Sequence, residues 1–331
     1  MSLAARAADP TVAIRRIAVF RALQLGDLLC AVPALRALRA RYPQAQITLV
    51  GLPWAAQLPA RFARYLDAFV EFPGHPGLPE RSPAPGAYGA FLQQMQAMRF
   101  DLALQMHGSG RISGAIVRGF GAARCAGFSD GICSDGWWPY PHALHEIRRN
   151  LQLVRHLGAR ADDERLEFPL TPADELELQR HSGLAALPAR GYVCLHPGAR
   201  DPRKRWPLQN FAAVGDALAA HGWRIVITGS AAERGLAMEL AAAMRAPACV
   251  AACDVGLGGL AVVLARARLL VSNDTGVAHL AAALRVPSVV VFFATDPRRW
   301  APLDRRLHRS VCDPRGVDPA RVLAHAEALL A

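Results

Sequence analysis

Four short segments carry side chains whose types and spacing suit a charged, hydroxylated ligand. In Gly26-Asp27-Leu28-Leu29 a carboxylate follows a glycine at the start of an apolar-periodic stretch. The glycine permits close backbone approach. Asp27 has two readings: a helix N-cap, where aspartate is favoured, or a base that takes a proton from an attacking hydroxyl. A helix N-terminus would depress its pKa and weaken it as a base unless burial compensates. His196 to Pro207 holds Arg200, Arg203, Lys204 and Arg205 just before Trp206. Trp206 reads as a partly buried anchor and Lys204 as a ligand for a diphosphate. Arg200, Arg203 and Arg205 are further phosphate contacts or surface charge.

The third segment, Thr228-Gly-Ser-Ala-Ala-Glu233, places a carboxylate near a helix start. Glu233 suits a ribose diol, as acids do at this place in nucleotide folds, or a structural helix-start role. Thr228 is a possible contact in the same turn. The fourth, Ser272-Asn-Asp-Thr-Gly-Val-Ala-His279, is the sharpest. Small polar residues end a strand, and the free amides of the following helix form a phosphate seat. Asp274 is placed for sugar hydroxyls, and Thr275 offers a hydroxyl to phosphate. His279, one turn on, is a cleft contact or a packing side chain. Thr295-Asp296-Pro297 reaches the ligand or simply ends a strand.

Such segments work at the carboxyl ends of parallel strands. In the first half, strands are expected at 14–20, 47–51, 68–72 and 101–106, with helices at 26–41, 55–65, 90–99 and 145–157. In the second, strands at 192–196, 223–228, 269–272 and 288–293 alternate with helices at 208–221, 232–244, 260–267 and 276–284. This alternation predicts parallel sheets covered on both faces. Residues 73–89 carry five prolines and four glycines, a long loop of the functional kind. A charged, proline-containing stretch at 158–188 holds the linker. The expected domains are 1–170 and 171–331, with the final helix, 319–330, packing on either one.

A chain of 331 residues accommodates two such domains. The net charge of +11 implies an anionic partner: a phosphorylated small molecule, a membrane surface or nucleic acid. No arginine tail or aromatic-studded basic strand supports nucleic acid. The longest apolar stretch, 286–294, falls short of the roughly 20 residues that span a bilayer. The opening MSLAARAADPTVAIRR lacks the apolar block of a signal peptide. The expectation is a cytoplasmic protein, touching anionic membrane at its inner face only reversibly. Seven cysteines without a C-x-x-C pair read as reduced thiols. There is no G-x-G-x-x-G, which argues against a dinucleotide epimerase or dehydrogenase, and no G-K-[ST] phosphate loop. With no D-x-D either, neither metal nor cofactor is expected.

The pieces GDLLCAVPAL (26–35), KRWP (204–207), TGS with Glu233, NDTGVAHLAAAL (273–284) and TDP (295–297) run in order over nearly the whole chain. They resemble the heptosyltransferase-like glycosyltransferases of family nine. That resemblance implies an α/β chain of GT-B fold, two Rossmann-like domains facing a central cleft, with acceptor on the first and donor on the second. It implies inverting transfer of heptose from ADP-L-glycero-D-manno-heptose to the inner core of lipopolysaccharide, an anionic glycolipid acceptor. By position, Asp27 matches the general base, Lys204 the phosphate ligand, Glu233 the adenosine-ribose contact and Asp274 the heptose contact. Thr275 and Gly276 match the turn that receives the diphosphate. Phe293-Ala294 stand where members often carry a Gly-Pro-Thr-Asp-Pro-like turn, and the 73–89 loop matches no family motif. Two alternatives stand beside this: a transferase of the same fold with another nucleotide-sugar or acceptor, and a non-catalytic nucleotide- or polyanion-binding module. Release of nucleoside diphosphate on turnover separates the module from an enzyme.

Overall fold

A computed structural model describes residues 13–331 apart from 132, 253, 254 and 314. The opening stretch read for a signal peptide, up to residue 12, and Cys253 lie outside the described residues. The chain forms two compact units, the first ending at Glu164 and the second running Arg165–Ala331.

The first unit comprises β1 (Arg16–Phe20), α1 (Leu25–Leu29), α2 (Val32–Arg41), β2 (Gln46–Gly51), α3 (Leu58–Arg61), β3 (Ala68–Glu71) and α4 (Ala87–Ala97). It continues with β4 (Leu102–Gln105), α5 (Ser113–Arg118), β5 (Arg124–Ser129), β6 (Trp137–Pro139) and α6 (Glu146–His156). Its six strands are all parallel, in the order β3-β2-β1-β4-β5-β6. The second unit opens with α7 (Pro172–Gln179), α8 (Ser182–Ala185), β7 (Tyr192–His196), α9 (Leu208–Ala220), β8 (Arg224–Ile227) and α10 (Arg234–Ala243). Then come β9 (Ala248–Val250), α11 (Leu257–Arg266), β10 (Leu269–Asn273), α12 (Gly276–Ala283), β11 (Ser288–Phe292), α13 (Pro297–Trp300), β12 (His308–Cys312) and α14 (Pro319–Leu330). Its order, β12-β11-β10-β7-β8-β9, repeats the first, and its strands are again parallel.

Both units are therefore doubly wound. In each, the winding reverses beside the first strand, between β1 and β4 and between β7 and β10. A crevice at the carboxyl ends of such a strand pair is where ligands bind. The central strands are covered on both faces, so their sequences are continuous apolar runs rather than alternating ones. Every residue of β7, β10 and β11 is buried.

Several elements differ from the sequence reading for local reasons. The expected helix 26–41 is two helices, because Pro33 has no N–H and its ring would collide with the carbonyl of Leu29. The expected helix 55–65 is a 3-10 turn at Pro53–Gln57 followed by the single turn of α3. Strands β5, β6, β9 and β12 were not foreseen; all lie toward the sheet edges, and two have only three residues. Helix α7 lies inside the stretch read as linker. It starts with a Thr171/Asp174 capping box and Pro172 in its first turn, both visible in the sequence. The last helix, α14, packs on α9 and β11 of the second unit. The six described cysteines are free thiols. No helix among the described residues is long and apolar enough to cross a membrane.

The core of the first unit is built on aromatic contacts around Phe20. Its ring meets Phe72 edge-on at 4.9 Å and Phe120 at 6.0 Å, while Phe91 meets both Phe72 and Phe120. Phe120 is fully buried. Phe120→Ala should therefore lower the stability of the first unit by about 3–5 kcal/mol. Urea unfolding followed by near-ultraviolet circular dichroism measures it, and a loss well below 1 kcal/mol would show that the cluster collapses to fill the space.

Candidate active site

The crevice between β1 and β4 is organised by one buried cation. Arg21, directly after β1, is 2% exposed. Its Nε donates to the Asp27 carbonyl at 2.8 Å, and Nη2 reaches the same oxygen. Nη1 donates to the Met106 carbonyl at the end of β4 and to Asn150 Oδ1 at 3.2 Å. Nη2 also pairs with Glu146 Oε1 at 3.0 Å, and Arg149 holds the other carboxylate oxygen of Glu146. Asn150 Nδ2 donates to the Cys30 carbonyl at 3.1 Å. Strand end, α1 and α6 are thus tied through charge-assisted bonds in a dry setting, where they are strong.

Asp27 is the third residue of α1, so the N-cap is Gln24 and not Asp27. The Asp27 side chain is half-buried, and Oδ2 accepts from the Gln24 amide at 3.3 Å. Burial pushes its carboxyl above the ordinary aspartate value. Arg21 pulls it down, Glu146 pushes it up, and the Gln24 amide and His107 pull it down, with burial prevailing. Burial thus supplies the compensation that a base at this helix start requires: α1 is only five residues long, and desolvation of the carboxylate prevails.

The second crevice, between β7 and β10, collects most of the other predicted residues. Lys204 Nζ lies 3.0 Å from Asp274 Oδ2 and 3.3 Å from the Asp274 carbonyl. Asp274 is buried and also accepts from Thr295 Oγ1, which brings the TDP turn into the cluster. Asn273 Oδ1 accepts from the Trp206 amide at 2.9 Å, and Asn273 Nδ2 donates to the Pro197 carbonyl at 2.8 Å. Trp206 is 1% exposed, more deeply anchored than expected, and its Nε1 donates to the Val317 carbonyl at 3.0 Å. Thr275 is the N-cap of α12 and Gly276 its first residue; Thr275 Oγ1 has no hydrogen-bond partner among the described residues.

Other predicted residues are placed differently. Thr228, expected as a contact, is fully buried, and its hydroxyl meets His196 Nδ1 at 3.1 Å. The sheet end closes over it. His279 is buried within α12, its ring 6.3 Å from that of Trp300. Gly26 is buried in α1. Arg200 is exposed, Arg203 is paired with Asp201 at 2.8 Å, and Arg205 Nε donates to the Ala199 carbonyl at 3.0 Å. Glu233 Oε2 accepts from Ser230 N and Oγ, both at 2.9 Å, as a cap. Its Oε1 lies against Gly198, where a Cβ would come within 2.2 Å, so a larger residue there would displace the Glu233 carboxylate. Burial raises the Glu233 carboxyl, but the Ser230 amide, His196 and Arg205 together hold it below its ordinary value.

The profile of glycosyltransferase family 9 (heptosyltransferase) matches residues 88–323. The chain belongs to this family. It is 26% identical to lipopolysaccharide heptosyltransferase 1 of Pseudomonas aeruginosa over 85% of the chain and 79% of that protein. It is 25% identical to lipopolysaccharide heptosyltransferase 2 of Escherichia coli over 92% of the chain and 96% of that protein. Among solved structures, a family 9 glycosyltransferase from Veillonella parvula superposes with a TM-score of 0.81 at 20% identity, covering 96% and 97% of the two chains. An E. coli heptosyltransferase solved with ADP gives 0.72 at 21% identity, covering 95% and 99%. The fold is thus of the GT-B class, and the chain is a glycosyltransferase of family 9.

Sequence reasoning missed the residues that set the first crevice of this glycosyltransferase: Arg21, His107, Glu146 and Arg149. A usable signal was present, since His107 lies two residues past the end of β4, the strand that pairs with β1. A second signal lies in composition. Of the 38 lysines and arginines, Lys204 is the only lysine. Lysine presents a compact point charge where arginine presents a planar fork.

The raised Asp27 carboxyl has a consequence for stability. Below the unfolded aspartate value the group is protonated in both states and costs nothing; as pH rises through the folded value, the buried charge increasingly destabilises the fold. Asp27→Asn should therefore melt higher than wild type at pH 7, and that advantage should shrink as pH falls to about 4. Equal melting differences at both pH values would remove the burial argument.

Proposed function

We propose that this chain is an inverting heptosyltransferase that moves heptose from ADP-L-glycero-D-manno-heptose to an inner-core lipopolysaccharide acceptor. The observation that carries the reading is the Lys204–Asp274–Thr295 cluster at the crevice of the second unit, beside the N-terminus of α12. A cation, a hydroxyl and free helix amides suit a diphosphate, and a buried carboxylate suits sugar hydroxyls. Similarity to heptosyltransferases along most of the chain supports the donor and acceptor class. Glu233 takes the ribose through Oε1 while Oε2 stays in its cap. In the first unit Asp27, made more basic by burial, accepts the proton of the acceptor hydroxyl as that oxygen attacks the anomeric carbon. The carbon–oxygen bond to the diphosphate breaks in the same displacement, and ADP leaves with the bonding pair. Lys204 and the α12 amides stabilise the charge that develops there.

The ion pair of Lys204 with Asp274 sharpens the test of their roles. Lys204→Ala should weaken ADP and the nucleotide-sugar alike, by roughly ten- to a hundredfold for a lost charged hydrogen bond of about 1.5–3 kcal/mol. Asp274→Ala should weaken the nucleotide-sugar but leave ADP unchanged or bound more tightly, since Lys204 is released from its partner. Asp27→Asn should keep donor affinity and lower transfer about a hundredfold or more. Calorimetric titration and ADP release measure these. Acetylation adds a direct readout, since Lys204 is the only lysine and ADP should protect it. Equal losses for both ligands in Asp274→Ala would withdraw the sugar contact, and full turnover in Asp27→Asn the base.

We also propose a cytoplasmic location with reversible contact at the inner membrane face, supported by the net charge of +11. Basic residues near an anionic surface contribute about 1 kcal/mol each, a term that salt screens. Flotation with anionic liposomes should decline as salt rises; salt-insensitive binding would mean hydrophobic insertion instead.

A further inference from the structure

The loop between β3 and α4, which matches no motif, sends a carboxylate to the first crevice. Glu80 Oε1 lies 3.7 Å from His107 Nε2, with side chains only 15% and 5% exposed. His107 directly follows Met106 at the end of β4 and is fixed from several sides. Its ring stacks on Phe20 at 5.1 Å. Its carbonyl accepts from Gln105 Nε2 and from Ser113 Oγ at 2.6 Å. The turn behind it needs Gly110, whose φ is +81° and whose Cβ would come within 1.9 Å of the Phe128 carbonyl. Arg21 joins the Met106 and Asp27 carbonyls, so the peptide before His107 and the peptide of Asp27 share one guanidinium. His107 Nδ1 is buried without a hydrogen-bond partner among the described residues.

We propose that Glu80 and His107 are positioning residues for the transfer reaction: Glu80 anchors the imidazole at the β1–β4 crevice, and the imidazole sets the charge environment in which Asp27 takes the acceptor proton. This rests on the reading of Asp27 as the base. The charged groups that reach Asp27 are Arg21 from the end of β1, Glu146 from α6 with Arg149 behind it, and His107 with Glu80 behind it. Arg21 and Glu146 are locked to each other inside the fold. His107 is held by a loop carboxylate, which makes it the adjustable charge of the set. When protonated, His107 lowers the Asp27 carboxyl against the effect of burial. Removing the carboxylate or the imidazole takes that influence away and lets Asp27 rise.

The test is the pH dependence of kcat/KM for Glu80→Gln, His107→Gln and the double variant, beside Asp27→Asn. The acidic limb should move to higher pH by roughly half a unit to one unit in each single variant, as loss of a nearby charge does. The double variant should move no further than either single one. At a pH on that limb, kcat should fall about three- to tenfold while donor KM and ADP affinity stay within about twofold. A purely structural pair would lower activity without moving the limb. Glu80→Gln is an isosteric change in a loop, so it carries the test if His107→Gln fails to fold. An unmoved limb in Glu80→Gln, with Asp27→Asn inactive, overturns the pairing and leaves the base in place. Full turnover in Asp27→Asn instead removes the base, and the pairing with it.

Discussion

A parallel sheet covered on both faces can offer chemistry only at its strand ends. That constraint, met twice in this chain, decides where every candidate residue lies. Both units share one strand order, so each has one crevice beside its first strand. Asp27 and His107 flank the first, and Lys204 and Asp274 flank the second. The central strands contribute side chains only at their last residues, such as Asn273 of β10 and His196 of β7; their interiors are mostly aliphatic and serve to aim the turns. Among the described residues, the buried Arg21 and Asp274 lie on these turns, while Glu146 and Arg149 reach the first crevice from α6.

Burying charge is costly unless it is paired and hydrogen-bonded. The two crevices meet that requirement in different ways. In the first, Arg21 has every donor group directed at an acceptor, and Glu146 is shared between two arginines, so the network has little freedom left. Removing one partner from such a pair typically costs about 3–5 kcal/mol, because the other charge stays behind. In the second, Lys204 is 28% exposed at its side chain and its partner Asp274 only 5%. That asymmetry suits an exchange in which an incoming anion takes the lysine while Thr295 continues to hold the carboxylate. The first network is a fixed frame, and the second is a pair that a ligand can divide.

The surface arginines play a separate role. Arg203 and Arg298 are each folded back on the aspartate two residues before them, Asp201 and Asp296, which holds both carboxyls below their ordinary value. These local pairs cap short turns rather than project into a ligand site. Much of the chain's positive charge is spread in this way, over a surface where screening leaves each pair worth little. A single lysine at a strand end is therefore a more specific feature than any of the arginine groups around it.

The sequence by itself determined the two-unit α/β plan, the central strands and the four turns, because those depend on local patterns: apolar runs of strand length, glycine at a sharp turn, small polar residues before an apolar helix. It also contained the α7 capping box at Thr171–Asp174, which was legible but unread. It did not reveal β5, β6, β9 and β12. Strands β6 and β9 have three residues each, too few for a periodic signal, while β5 (RCAGFS) and β12 (HRSVC) mix polar residues into their runs and are paired by neighbouring strands. Only the tertiary structure decided that Thr228 is sealed beneath His196 and that Lys204 meets Asp274 across seventy positions of chain. The same holds for the Asp27 carboxyl, raised rather than lowered. Each of these outcomes rests on desolvation and on contacts between distant segments. Such terms depend on which groups are brought together in three dimensions, and no local pattern of residue types encodes them.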